Sequence, residues 1–163
     1  MILSLTMVRK RLGEILVEQG LITEEQLQNA LAEQYLTKEF LGTILTKSGT
    51  ITEKDLLKIL GEQFSIPYQS IQHRYLDLNL SKKFSSALIM EHNCFPIEED
   101  DLSVTLAIIN PLDVMTIGEA RKIVAPKILN LVLTSSTDMS AVITKYRKFL
   151  KSSLIGIIEK MGG

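Results

Sequence analysis

The sequence predicts an α+β fold in which an N-terminal four-helix tandem-repeat unit precedes a small α/β sandwich of about three strands with helices. Two observations support this prediction: a helical pattern occurs twice near the start of the chain, and helix and strand patterns alternate after it. We expect a tandem helical-hairpin subdomain over 1–64, a connector over 65–80, a small α/β subdomain over 81–150, and a helical tail or linker over 151–163.

The duplicated pattern relates residues 11–34 to residues 40–63 without a gap. Half of the aligned positions are identical, which is more than shared helical composition produces. The identical pairs are Leu12/Leu41, Gly13/Gly42, Ile15/Ile44, Leu16/Leu45, Gly20/Gly49, Ile22/Ile51, Thr23/Thr52, Glu24/Glu53, Leu27/Leu56, Leu31/Leu60, Glu33/Glu62 and Gln34/Gln63. Two copies imply two similar surfaces.

Each copy has the pattern of a helix, a turn and a second helix. Gly20 lies where a left-handed residue would end the first helix. Thr23 can cap the second helix, with Gln26 completing a capping box and Ile22 packing on Leu27. The second copy repeats this arrangement with Ile51, Thr52, Asp55 and Leu56.

Capping and packing leave two features of the repeat unexplained. Gly13 and Gly42 lie early in a helix, where glycine costs about 1 kcal/mol relative to alanine. A glycine kept there in both copies indicates that another group approaches the backbone closely. Gln34 and Gln63 end the two copies with side chains that both donate and accept hydrogen bonds.

The remaining elements follow from periodicity, breakers and turn residues. Residues 1–8 are apolar but short, and we expect a strand or an irregular arm there. A helix should begin at a Ser81 cap, with Phe84, Leu88 and Ile89 facing inward. The further predicted elements are strands at 94–97 and 102–109 joined by an acidic turn at 98–101, a helix from Asp113 to about Val124, a strand over 128–133 and a helix over 137–150.

Composition argues against several classes of function. A net charge of −1 and a pI near 6.1 predict no nucleic-acid partner. The two histidines and Cys94 cannot form a zinc site or a disulfide framework, and we expect Cys94 to be a buried small hydrophobe in a cytoplasmic protein. The chain has no phosphate-loop or nucleophile-elbow motif, so we predict no catalytic residue, no metal and no enzyme activity. Residues 1–8 are too short to insert into a membrane.

The first copy, Arg-Leu-Gly-x-x-Leu-Val-x-x-Gly-Leu-Ile followed by Leu27, Leu31 and Gln34, resembles the tandem motif of the MshEN domain. A five-residue spacer at 35–39 and a second copy complete the resemblance, and later segments around 95–96, 108–113 and 141–146 resemble the same family. That family is the N-terminal regulatory part of type II secretion and type IV pilus assembly ATPases. The resemblance implies that the two motifs together bind one cyclic di-GMP.

Residue by residue, the resemblance implies a ligand site made from both copies. Arg11 or Arg9 can stack on a purine or bridge phosphate oxygens, and Leu27 with Leu31 can form an apolar floor under a base. Glycine would let a phosphate reach backbone N–H groups. The candidate ligand-binding residues are Arg9, Arg11, Leu12, Gly13, Leu27, Leu31, Gln34, Phe40, Leu41, Gly42, Leu56, Leu60 and Gln63.

Two alternatives stay open. Duplicated hairpins can serve only to pack on each other, and their leucines would suit any core. Phe40 stands where the family pattern has arginine, so the second copy can stack on guanine but cannot pair with phosphate, and we expect weaker or altered binding. The chain would then be a docking module that tethers an assembly ATPase, in cis or in trans, to the cytoplasmic domain of an inner-membrane secretion or pilus component.

Overall fold

The computed structural model describes residues 11–162, which form two compact units that divide between Ser65 and Ile66. The first unit contains four helices, and the second contains helices and a three-stranded sheet. The predicted α+β class, with helices first and a small sheet afterwards, is confirmed. The arm predicted over residues 1–8 and the candidate Arg9 lie outside the described residues.

The first unit consists of α1 (Leu12–Glu18), α2 (Glu24–Thr37), α3 (Leu41–Lys47) and α4 (Glu53–Phe64). Gly20 and Gly49 follow α1 and α3 with φ values of 71° and 73°, so both adopt the left-handed conformation predicted from the sequence. Leu16, Leu45 and Ile59 are among the fully buried side chains of this unit.

The two capping sites differ in one detail. Thr23 forms the predicted box: its side chain accepts from the Gln26 N–H at 3.1 Å, and the Gln26 side chain accepts from the Thr23 N–H at 2.8 Å. Thr52 accepts from the Asp55 N–H at 3.1 Å, but its hydroxyl donates to the Asp55 carboxylate at 2.7 Å. The shorter aspartate therefore bonds to the threonine hydroxyl, where glutamine reaches the backbone N–H.

The second unit begins its regular structure with a 3₁₀ helix, Leu78–Lys83, followed by α5, Ser86–His92. The prediction of one helix capped by Ser81 is wrong at its start. Phe84 is extended, with φ −109° and ψ 145°, and Ser85 caps α5 by accepting from the Leu88 N–H. A short turn and a helix thus replace one long helix, although Phe84, Leu88 and Ile89 are buried as predicted.

The sheet has the order β1-β2-β3, with β1 at Cys94–Glu99, β2 at Ser103–Ile108 and β3 at Ile128–Leu133. β1 and β2 pair antiparallel with an irregularity between Pro96 and Glu98, which suits a proline on an edge strand. β2 and β3 pair parallel through the crossover helix α6, Val114–Val124, which Asp113 caps as predicted. Central β2 is almost wholly buried.

The final helix, α7, spans Ser136–Met161 and packs against β1. It includes the helix predicted over 137–150 and residues 151–161 of the tail or linker predicted over 151–163. Tyr146 of α7 meets Phe95 of β1 edge to face, with ring centroids 5.6 Å apart. Among residues 11–162, no helix has both the length and the apolar character that crossing a bilayer requires.

Cys94 is fully buried at the start of β1, as the sequence predicts. Its thiol donates to the Leu88 carbonyl at 3.5 Å. Burial raises the pKa of the Cys94 thiol to about 12, and the charges of Asp113 and Glu119 contribute to the increase. Almost no thiolate therefore exists at neutral pH, which suits a packing residue rather than a nucleophile.

The segment just after Ile66 is bonded to the sheet unit. Leu133 donates to the Pro67 carbonyl and Gln69 donates to the Leu133 carbonyl, both at 2.8 Å. The buried Asp138 carboxylate accepts from the Ser70 hydroxyl at 2.6 Å and from the Ile71 N–H at 2.8 Å. These bonds fix residues 67–71 on the second unit.

The acidic turn predicted at 98–101 is tied down by lysines. Lys127 donates to Glu99 at 2.8 Å and to the Asp100 carbonyl at 2.6 Å, and Lys83 also pairs with Glu99. The bonds from Lys127 and Lys83 lower the pKa of Glu99. The turn is therefore not only a solvated tip.

We predict that Asp138→Ala lowers the free energy of unfolding by about 1–3 kcal/mol, because it leaves the buried N–H of Ile71 and the part-buried donors of Ser70 and Gln72 without their acceptor. Burial raises the pKa of Asp138, but the bonds from Ser70, Ile71 and Gln72 outweigh it, so the pKa is lowered. A lowered pKa means that the stabilisation is full above the unfolded value of about 3.9 and is lost as pH falls through the folded value.

Urea denaturation at neutral and acidic pH measures this contribution, with Asp101→Ala in the exposed turn as the control. The difference between wild type and Asp138→Ala should narrow in acid. Equal stability of the two proteins at neutral pH would contradict the role assigned to Asp138.

Candidate functional site

A groove on the helical unit gathers most of the candidate residues of the first copy. It encloses about 360 Å³, which is within the range of about 300–1,000 Å³ for small-molecule sites. The candidates that line it are Arg11, Leu12, Gly13, Leu27, Leu31 and Gln34, together with Leu41 from the second copy. Residues predicted from separate helices of the repeat therefore meet at one surface.

Arg11 precedes α1, so its backbone position is fixed by the start of that helix. The backbone N–H of Arg11 donates to the Glu14 carboxylate at 3.2 Å, which satisfies one donor at the helix start. The residue is exposed, and the guanidinium is a cation lining the groove. A planar guanidinium in this position can stack on a base or bond phosphate oxygens.

The floor of the groove comes from α2. Leu27 is 7% exposed, whereas Leu31 is 38% exposed and presents apolar surface to solvent. Gln34, one turn further on, donates from Nε2 to the Glu39 carbonyl at 3.1 Å. This bond ties the end of α2 to the spacer before the second copy.

The side chain of Leu27 approaches the backbone of Gly13 closely. A Cβ built on Gly13 would lie 2.5 Å from Leu27 Cδ1, a distance that real side chains do not show. In the second copy, a Cβ on Gly42 would lie 2.9 Å from both terminal carbons of Leu56. The sequence predicts that some group approaches each glycine closely, and in the structure a leucine of the same copy does so.

The second copy is arranged differently from the first. Phe40 is half-buried, and its ring carbon Cε1 would also lie 2.9 Å from a Cβ on Gly42, so the ring packs over this glycine. Leu60 is 2% exposed, in contrast to Leu31 at the equivalent position. The candidates of the second copy that do not line the groove are Phe40, Gly42, Leu56, Leu60 and Gln63.

Three polar residues that the sequence did not single out also line the groove: Glu14, Glu24 and Gln28. Glu24 accepts from Gln28 Nε2 at 3.0 Å. Helical spacing could have found two of them, since positions 24 and 28 share a face of α2 with Leu27 and Leu31. The described part of the groove therefore combines one guanidinium with two carboxylates.

Within residues 11–162, no group of three or more histidine, cysteine or acidic side chains is placed to hold a metal ion. The groove combines apolar leucine side chains with one guanidinium, two carboxylates and two side-chain amides. Such a surface suits a small molecule that presents a flat apolar face together with hydrogen-bond donors and acceptors.

Comparison with protein families finds that the model described as the MshEN domain matches residues 64–153, more than half of the chain. Among solved structures, one described as MshE with cdg has a TM-score of 0.77 and 25% identity, and it covers 85% of this chain and 99% of that chain. The structure of the N-terminal domain of XpsE has a TM-score of 0.60 and 17% identity, and it covers 80% of this chain and 90% of that chain. No curated protein matches the sequence significantly.

We predict that Gly13→Ala lowers the free energy of unfolding by about 1–2 kcal/mol, because the cost of displacing the end of the Leu27 side chain, about 1–3 kcal/mol, exceeds the gain in helix propensity of about 0.5–1 kcal/mol. Gly118→Ala in α6 is a matched control, since a Cβ there meets open space and should stabilise the helix by about 0.5–1 kcal/mol. Urea denaturation measures both effects.

The double variant Gly13→Ala with Leu27→Ala tests the contact itself. If the two side chains compete for one space, the changes should be non-additive, with Gly13→Ala harmless once Leu27 is shortened. Additive destabilisation would contradict the contact.

Proposed function

The chain belongs to the MshEN domain family, and on this basis we propose that it is a regulatory domain that binds cyclic di-GMP and serves a type II secretion or type IV pilus assembly ATPase. The similarity to MshE with cdg supports the choice of ligand. We also propose that the domain acts in the cytoplasm and that ATP hydrolysis belongs to a separate catalytic domain, in cis or in trans.

The observation that carries this proposal is the groove, which gathers the cation, the floor and the polar end that the first motif predicts. A guanine can lie on the floor formed by Leu27 and Leu31, where burying apolar area contributes about 25 cal/mol per Å². The Arg11 guanidinium can then contact the base or a phosphate at the rim. Leu41 brings the second copy to the same surface.

The difference between the copies supports unequal half-sites. Phe40 packs over Gly42 and offers an aromatic ring in place of the guanidinium. We therefore propose that the first copy supplies the cationic contact and that the second supplies stacking alone, which contributes roughly 1–3 kcal/mol per base.

We predict that isothermal titration calorimetry detects cyclic di-GMP binding, with no comparable binding of GTP or ATP. Arg11→Ala should weaken binding at least tenfold, because a charge-assisted hydrogen bond contributes about 1.5–3 kcal/mol. The protein should stay folded, since Arg11 is exposed at the start of a helix.

Arg121→Ala, an exposed arginine of α6 outside the groove, is the matched control and should bind as wild type does. Wild-type affinity in Arg11→Ala would remove Arg11 from the site. No heat of binding with the wild-type protein at high ligand concentration would reject the sensor proposal itself.

A second candidate function is favoured by where the family match lies. The family model matches 64–153, which is the sheet unit and not the unit that contains the groove. The groove therefore leaves the matched unit without a proposed role, and binding a protein partner would give it one. We propose the cytoplasmic domain of an inner-membrane secretion or pilus component as that partner.

The docking function predicts a stable 1:1 complex with that component in size-exclusion chromatography. If docking is independent of the ligand, Arg11→Ala should form the same complex. A complex that forms only with cyclic di-GMP would instead support the sensor. If the two proteins elute separately both with and without cyclic di-GMP, the docking proposal is rejected.

A further inference from the structure

Of the two carboxylates in the groove, Glu14 accepts from the backbone N–H of Arg11 at 3.2 Å, whereas the proposed function does not explain Glu24. Glu24 lines the groove in the first turn of α2, and one of its oxygens accepts from Gln28 Nε2 at 3.0 Å. An anionic ligand would be repelled by an idle carboxylate in its site. A hydrogen-bond donor on the ligand that faces Glu24 would offset this repulsion.

The groove face of α2 runs from Glu24 through Leu27 and Leu31 to Gln34. At 1.5 Å per residue, Glu24 lies about 10 Å along the helix axis from Leu31. The apolar floor thus has a carboxylate at one end and an amide at the other. By the same rise Gln34 lies about 15 Å from Glu24, so a planar base that lies on the floor beside Glu24 can present one edge to the carboxylate.

Guanine has two adjacent hydrogen-bond donors that a carboxylate can bind. Its N1–H and its N2 amino group are adjacent donors on the Watson–Crick edge, whereas N7 and O6 on the other edge are acceptors. An ionised carboxylate only accepts, so it can bond both donors of guanine. Adenine presents the unshared pair of N1 on the same edge, and that pair would face the negative oxygens.

We propose that the Glu24 carboxylate, positioned by Gln28, recognises the N1–H and N2 amino edge of one guanine and makes this half-site selective for guanine over adenine. The inference rests on the proposed cyclic di-GMP site. Glu24 is the specificity-determining residue, and Gln28 is a positioning residue that holds one carboxylate oxygen.

The second copy does not contain this pair. The position equivalent to Gln28 is Leu57, which is 2% exposed and belongs to the core. The equivalent of the exposed Leu31 is buried Leu60. The recognition of guanine by a carboxylate held by glutamine is therefore confined to the first copy.

The test is a titration of three ligands, cyclic di-GMP, the hybrid cyclic GMP–AMP and cyclic di-AMP, into wild type, Glu24→Gln and Glu25→Gln. Glu25 is the neighbouring exposed glutamate in the same helical turn and does not line the groove, so it controls for charge and helix stability. Gln28→Leu, which copies the second repeat, tests positioning.

Wild type should bind cyclic di-GMP about 10- to 100-fold more tightly than cyclic di-AMP, the range expected for loss of a charge-assisted pair. The affinity for the hybrid should be close to that for cyclic di-GMP, since one guanine is enough to bond Glu24. Glu24→Gln should lose most of the preference for guanine, Gln28→Leu a part of it, and Glu25→Gln none.

An unchanged preference in Glu24→Gln would overturn the inference while leaving the proposed function intact. Loss of hybrid binding to the level of cyclic di-AMP would overturn the assignment of recognition to the first copy alone. Failure of wild type to bind any of the three ligands would reject the proposed function, a result distinct from the other two. Matching unfolding curves for Glu24→Gln and wild type establish that the variant is folded.

Discussion

The helical unit depends on one contact that is made twice: a leucine side chain packed directly on the backbone of a helical glycine. Leu27 occupies the space where Gly13 would carry a Cβ, and Leu56 does the same at Gly42. Each contact joins the two helices of a copy more closely than any larger residue would allow. In the first copy the same leucine also lies under the groove, so the packing of the hairpin and the shape of its surface are set together.

Local signals in the sequence predicted the local structure well. The glycine turns at Gly20 and Gly49, the Thr23 capping box and the Asp113 cap depend on residues within a few positions of one another. The start of α5 was misplaced because Ser81 and Ser85 are both good caps, and tertiary packing of Phe84 decides between them. The role of Asp138 was not predictable, since its partners lie nearly seventy residues earlier in the chain.

The candidate site shows the same division. Duplication and family resemblance identify Arg11, Gln34 and the leucines of the first copy, which line one groove, but they also select Leu56 and Leu60, which do not. They could not indicate that Leu31 is exposed while Leu60 is buried, because exposure depends on what packs over each helix. The sequence does not predict Glu24 and Gln28 as site residues, because glutamate and glutamine on a helix are usually exposed to solvent. The structure shows that both line the groove.

The repeat also has a consequence for how such a duplicated unit changes over time. Where one hairpin has polar Gln28, its twin has Leu57 in the interior. The second hairpin therefore buries a position that the first leaves polar, although Leu16 and Leu27 of the first hairpin are core residues too. Substitutions at exposed positions of α2 can change what the first hairpin recognises at little cost in stability, whereas Leu57 of the second hairpin can be replaced only by a residue that fits the core.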